Sequence, residues 1–142
     1  MTWQPVSSRK KRKETGTGAR SARTTTALKS FDDIREMANA LPGVVDGTSY
    51  GTPALKVGGK LFARLHQDMD CVVLRCELLD REILMQSAPD AFFITDHYRD
   101  YPWILLRLGA VEKRVLPELI ERAWRLVASK TLVRKFDREK TE

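Results

Sequence analysis

A Gly58-Gly59 pair stands between two runs of strand-forming residues, Thr52–Val57 and Lys60–His66. A two-residue hairpin turn of the primed type needs positive φ at both central positions, which glycine adopts without steric cost. The pair therefore predicts a β-hairpin, with Leu61, Ala63 and Leu65 alternating toward one of its faces. The polar run Gln67–Asp70 predicts a turn into a third strand, Cys71–Leu74, which is apolar on both faces and so central in a sheet. Phe92–Ile94 and Trp103–Leu108 read as fourth and fifth strands.

Helices frame these strands. Ser30 is placed to cap a first helix with Asp32 and Asp33 in its opening turn, and Phe31, Ile34, Ala38 and Leu41 make its apolar face. Pro42-Gly43 ends it. A second helix is predicted over Asp80–Ala88, with Leu79, Ile83 and Leu84 on its buried side. Pro117 suits the first turn of a last helix running to about Ser129, with a core stripe of Leu116, Leu119, Ile120, Ala123 and Val127. The order α-βββ-α-ββ-α, with mostly short links, predicts an α+β two-layer sandwich. Its sheet is five-stranded and mainly antiparallel, with helices on one face.

Charge divides the chain into segments. Its 142 residues suffice for about one domain. The net charge is +6, from 25 basic and 19 acidic side chains. Residues 1–30 hold eight of the basic and one of the acidic side chains, a net +7, so residues 31–142 are net −1. Residues 1–29 lack apolar periodicity and predict a disordered basic arm. Residues 30–133 are the folded domain, and 134–142 a charged, frayed C-terminal tail. Two cysteines, Cys71 and Cys76, do not make a disulfide framework, and no apolar run approaches the roughly 20 residues of a membrane span. The basic N-terminus has no apolar segment behind it, as a signal peptide would. These features predict a reduced, cytoplasmic setting without membrane contact.

The run Thr52-Pro53-Ala54-Leu55-Lys56-Val57-Gly58-Gly59-Lys60-Leu61-Phe62-Ala63 resembles the signature of the MmcQ/YjbR family. Trp103, opening a late strand within Tyr101-Pro102-Trp103-Ile104, is similar, as is the last helix with Leu119-Ile120 and Leu126-Val127. The resemblance covers roughly residues 31–130 and implies a compact α+β fold similar to type III secretion chaperones. It also implies DNA binding through a pair of β wings. The basic arm lies outside that core, and Trp124 stands where the family often has a smaller or hydroxylated residue.

Several residue groups are candidates for function. Arg9, Lys10, Lys11, Arg12 and Lys13 form a cation run that would attract phosphates through counterion release, without reading sequence; as a plain solubilising arm it would do neither. Lys56, Lys60 and Arg64 lie on the hairpin, where they would grip a phosphate backbone or, alternatively, guard a sheet edge against aggregation. The loop Asp96–Pro102 offers His97, Tyr98, Arg99 and Tyr101 as a binding surface, as a catalytic group centred on His97, or as side chains that tie the loop down. His66-Gln67-Asp68-Met69-Asp70 lacks the ligand count of a closed metal site, and Cys71 and Cys76 read as buried structural thiols. No phosphate-binding loop, dinucleotide glycine fingerprint or nucleophile elbow is present. No cofactor is implied.

The leading expectation is a non-enzymatic protein that associates with DNA, mostly without sequence preference, through the arm and the hairpin wing. A protein-binding module resembling secretion chaperones is the alternative, marked by a contiguous exposed apolar patch. An enzyme would need a concave cavity where His97 converges with Asp96, Asp100 or Arg99.

Overall fold

The computed structural model describes residues 30–68 and 70–141. Its elements are α1 (Phe31–Ala38), β1 (Val44–Ser49), β2 (Thr52–Val57), β3 (Lys60–Leu65), β4 (Cys71–Arg75), α2 (Leu78–Ser87), β5 (Phe92–Phe93), β6 (Trp103–Arg107), α3 (Leu116–Val127) and α4 (Lys130–Lys140). One antiparallel sheet runs in the order β1-β2-β3-β4-β6-β5. The α+β class and the antiparallel sheet agree with the sequence reading, but the sheet has six strands rather than five. The extra one, β1, is an edge strand whose side chains are exposed or half-buried, so it carries no apolar alternation to read. Its turn into β2 is made by Tyr50 and Gly51, both at positive φ (54° and 77°).

Local signals position the helices. The Ser30 hydroxyl accepts a hydrogen bond from the Asp32 amide at 3.2 Å, capping α1, and Phe31, Ile34 and Ala38 are buried. In α3, Leu116, Ile120, Ala123, Trp124 and Val127 are buried. They meet Leu55, Val57, Phe62, Val72, Leu74, Ile104 and Leu106 of the sheet in one core. Trp124 is fully buried, and its indole Nε1 donates to the Pro42 carbonyl at 2.9 Å, so it joins α3 to the connection between α1 and β1. Truncating so large a core residue typically costs about 3–5 kcal/mol.

Two further expectations are corrected. Residues 134–140, read as a frayed tail, continue α4. The Ser129 hydroxyl accepts from the Leu132 amide at 3.2 Å. Leu132, Val133 and Phe136 pack on the core, and Arg125 of α3 pairs with Asp137. The buried side of α2 differs in part from the predicted one: Leu84 packs on the core as expected. Leu79 and Ile83 are exposed, at 74% and 59%, while Arg81 is 5% exposed and buried. Arg81, Leu84, Met85 and Ala88 make the inward stripe instead. The cause is an acceptor cluster. Arg81 donates to the carbonyls of Tyr98 (2.9 Å), Arg99 (2.8 Å), Tyr101 (2.9 Å) and Trp103 (3.1 Å). Four charge-assisted hydrogen bonds offset the cost of burying a guanidinium, and no leucine could satisfy those carbonyls.

Candidate functional site: an arginine and aromatic cavity on the open face of the sheet

The helices pack on one face of the sheet. On the other, Cys71, Val73, Phe93, Leu105 and Tyr98 form a second, smaller cluster. Among the described residues, no side chain of α1–α4 joins it. The pairing register puts Ala54, Arg64, Val73, Leu105 and Phe93 in one row across this face. Each residue of the row shares its side with its partner because side chains alternate along a strand. Arg64 is thereby carried onto an apolar surface, where it is only 5% exposed.

A buried guanidinium requires acceptors. Arg64 donates to the Tyr98 hydroxyl at 2.8 Å, to Gln67 Oε1 at 2.8 Å and to the Leu65 carbonyl at 3.3 Å. A guanidinium carries five donors, so not all are consumed. Above these groups lies a cavity of about 540 Å³, lined by Tyr50, Leu61, Arg64, His66, Gln67, Asp68, Val73, Thr95, His97, Tyr98, Tyr101 and Trp103. The 95–102 loop forms one wall and is held there by Arg81 from beneath. The 66–68 turn forms the opposite wall, where His66 Nδ1 accepts from the Asp68 amide at 3.0 Å. With Nδ1 accepting, neutral His66 carries its proton on Nε2. Burial first, then the neighbouring Arg64 and His97 charges, lower the His66 pKa below its usual value, against an opposing pull from Asp68.

Among the described residues, three arginines lie over aromatic rings on or beside this face. Arg64 is 4.9 Å from the Tyr50 ring centre, Arg75 is 5.4 Å from that of Trp103, and Arg107 is 4.1 Å from that of Phe93. Cation–aromatic pairing holds flat rings and guanidinium planes in fixed order. Tyr50 and Tyr101 remain 77% and 59% exposed, so faces of both are open to a ligand.

The sequence-predicted site residues divide. Arg64, His97, Tyr98 and Tyr101 converge on the cavity. Arg99 does not line it; it pairs with Asp96 at the surface. Tyr98 is buried, and its ring meets that of His97 edge to face at 4.7 Å. Lys56 and Lys60 take opposite sides of the hairpin by register: Lys60 lies opposite the core residue Val57, while Lys56 lies opposite Leu61 of the cavity wall. The three hairpin cations therefore do not form one grip. Arg9, Lys10, Lys11, Arg12 and Lys13 lie outside the described residues. Sequence reasoning missed Arg81, Tyr50 and Trp103 as site-forming residues. The one local signal for Tyr50 was Gly51 after it, ahead of the Thr52–Val57 strand. Cys71 and Cys76 are buried, and burial pushes their thiols up to about 12 and about 11. Among the described residues, no three His, Cys, Asp or Glu side chains cluster as a metal would need.

A second cavity, of about 620 Å³, opens on the helical side between α2 and α3. Leu74, Ile83, Leu84, Ile104, Leu119 and Leu126 contribute its apolar lining, and Arg122 on its rim is paired with Asp80 and Glu118. No helix among the described residues is long and apolar enough to cross a membrane.

A family model described as YjbR matches residues 39–126, more than half of the chain. The uncharacterized proteins Rv2570 of Mycobacterium tuberculosis and Mb2600 of Mycobacterium bovis are each 43% identical over 53 residues, 37% of this chain and 41% of theirs. The chain thus spans about two-fifths of the length of the curated relatives it matches. The crystal structure of Deinococcus radiodurans protein DR2400, a DUF419 domain, superposes with a TM-score of 0.63 at 24% identity, over 75% of this chain and 84% of that one. That likeness is one of fold.

Proposed function

This chain belongs to the YjbR family, and we propose that it acts as a non-enzymatic nucleic-acid-binding protein. The observation that carries this reading is the open sheet face, where Arg64, His66 and His97 share a cavity with the exposed rings of Tyr50 and Tyr101. A guanidinium and imidazole N–H groups that meet phosphates, beside aromatic faces that stack on bases, are the recurring elements of single-strand recognition. The net +7 of residues 1–30 adds sequence-independent attraction to any phosphate backbone. Contact of the hairpin tip with a duplex through Lys60 is a lesser part of the same reading. A cytoplasmic setting belongs to it as well, since nucleic acid is its partner.

The test is titration of the full chain and of a chain lacking residues 1–29 against single-stranded and duplex DNA at several salt concentrations. An arm that neutralises about five phosphates gives a slope of log K on log salt of roughly −4 to −5 on duplex. Removal of the arm flattens that slope, and the residual affinity prefers single strands. Absence of binding by the full chain at low salt removes the proposal.

A protein-binding role is the second reading, favoured by Ile83 and Leu126, which are exposed and line the α2–α3 cavity. A photoreactive residue at position 83 would crosslink a protein partner in cells under this reading, and none under the first.

A further inference from the structure

The cavity on the open face has a more selective chemistry than a general strand-binding surface. Its volume of about 540 Å³ lies within the usual range for a small-ligand pocket, roughly 300–1,000 Å³. Arg64 is anchored by Tyr98 and Gln67, so its guanidinium is held in place before any ligand arrives. His66 is oriented by the Asp68 amide, and His97 by its edge contact with Tyr98. Two imidazoles and one guanidinium line the same cavity and supply N–H donors to the oxygens of a phosphomonoester. Tyr101 and Trp103 line the same cavity. Among the described residues, no ring or cation lies on Tyr101, so its face is open to a planar ring. The Asp68 carboxylate also lies at the cavity and opposes an anion there. It lies on the 66–68 turn that His66 also belongs to, so an anion would enter from the Arg64 and His97 side.

We infer that this cavity seats a single nucleotide unit, the base against Tyr101 and Trp103 and the 5′-phosphomonoester against Arg64, His66 and His97. The inference rests on the nucleic-acid reading and narrows it to one residue of the strand. The same chemistry is offered by a free nucleoside monophosphate and by the 5′-phosphorylated end of a strand.

Titration of the full chain by NMR decides the matter. The probes are thymidine 5′-monophosphate, thymidine, inorganic phosphate, and short thymidine oligomers with a 5′-phosphate or a 5′-hydroxyl. The expected result is saturable binding of the monophosphate, with shifts at His66, His97 and Tyr101. Thymidine and inorganic phosphate each bind at least about tenfold more weakly. His97→Ala and Tyr101→Ala, both on the loop surface, each weaken the monophosphate about fivefold or more with unchanged circular dichroism. A preference for the 5′-phosphorylated oligomer assigns the site to strand ends, and its absence with intact monophosphate binding assigns it to the free nucleotide. Oligomers that bind while the monophosphate does not at millimolar concentration overturn this inference and leave the open-face reading standing. Failure of both overturns both. Inorganic phosphate that binds as tightly as the monophosphate also overturns it, because the base then contributes nothing.

Discussion

The Arg64 guanidinium and the Tyr98 hydroxyl meet at 2.8 Å, linking strand β3 to a loop 34 residues later in the chain. Both residues are buried, Arg64 at 5% and Tyr98 at 7% exposure. The bond therefore binds the wall of the cavity to its floor. Tyr98→Phe removes the acceptor and leaves a buried charged donor short of a partner. We expect a loss of about 1–3 kcal/mol in chemical unfolding. A loss below about 0.5 kcal/mol would show that water or another group replaces the hydroxyl at no cost.

Arg81 is the keystone of the same loop. Arg81→Leu keeps the apolar stem and deletes all donors to the four carbonyls of Tyr98, Arg99, Tyr101 and Trp103. The expected cost is about 3 kcal/mol, since hydrogen bonds to a charged group contribute about 1.5–3 kcal/mol each and part of the loss is recovered by water. Hydrogen exchange should localise it: the amides of Tyr98, Tyr101 and Trp103, all bonded within this loop, lose protection before those of β4. Uniform loss across the sheet would contradict a local anchoring role. Arg81→Lys restores little, because an ammonium lacks the planar fork.

The thiols make a prediction about reactivity and alkaline pH. Burial pushes Cys71 up to about 12 from an ordinary value of 9.0, so the thiolate is scarce in the native protein. A thiol reagent at neutral pH should label it only through unfolding. The folded state resists ionisation that the unfolded chain undergoes freely. Stability from this group is therefore complete below pH 9 and falls as pH rises toward about 12. Rapid labelling of Cys71 in the native protein would refute this.

His66 predicts the opposite pH direction. Burial, Arg64 and His97 lower its folded pKa below 6.5, and Asp68 pulls the other way. A depressed folded pKa means the unfolded chain takes up the proton first. The contribution of His66 to stability is present above pH 6.5 and is lost as pH falls below it. NMR titration of the imidazole should give a midpoint under 6.5, and Asp68→Asn should depress it further by removing the opposing charge. A midpoint at or above 6.5 would contradict the arrangement of charges around the ring.

A last prediction concerns α4. Phe136 packs on the core with its ring centre 5.3 Å from that of Trp124. Phe136→Ala should lower stability by about 1–3 kcal/mol, less than a fully buried aromatic because the residue is partly exposed. An unchanged unfolding midpoint would mean that α4 is as dispensable as a frayed tail.

The amino-acid sequence by itself determined whatever depends on neighbours a few residues apart. Gly58 and Gly59 take positive φ (59° and 79°) in the predicted hairpin, Ser30 caps α1 as placed, and the stripe Leu116, Ile120, Ala123, Val127 faces the core. Each is a local steric or periodic effect, complete within one turn or one helix. Cys71–Leu74 was legible as a central strand for the same reason, because an unbroken apolar run demands cover on both faces. Tertiary structure alone decided which side of α2 is buried. Leu79 and Ile83 argue for one face, and the carbonyls of a loop some twenty residues away win Arg81 for another. It alone decided that β1 exists, since an exposed edge strand is held by its ladder to β2 and not by its own apolar pattern. The cavity belongs to the same class. Arg64, His66, His97 and Tyr101 share it only because the register of β3, β4 and β6 brings distant segments to one face, and pairing register is a property of the assembled sheet.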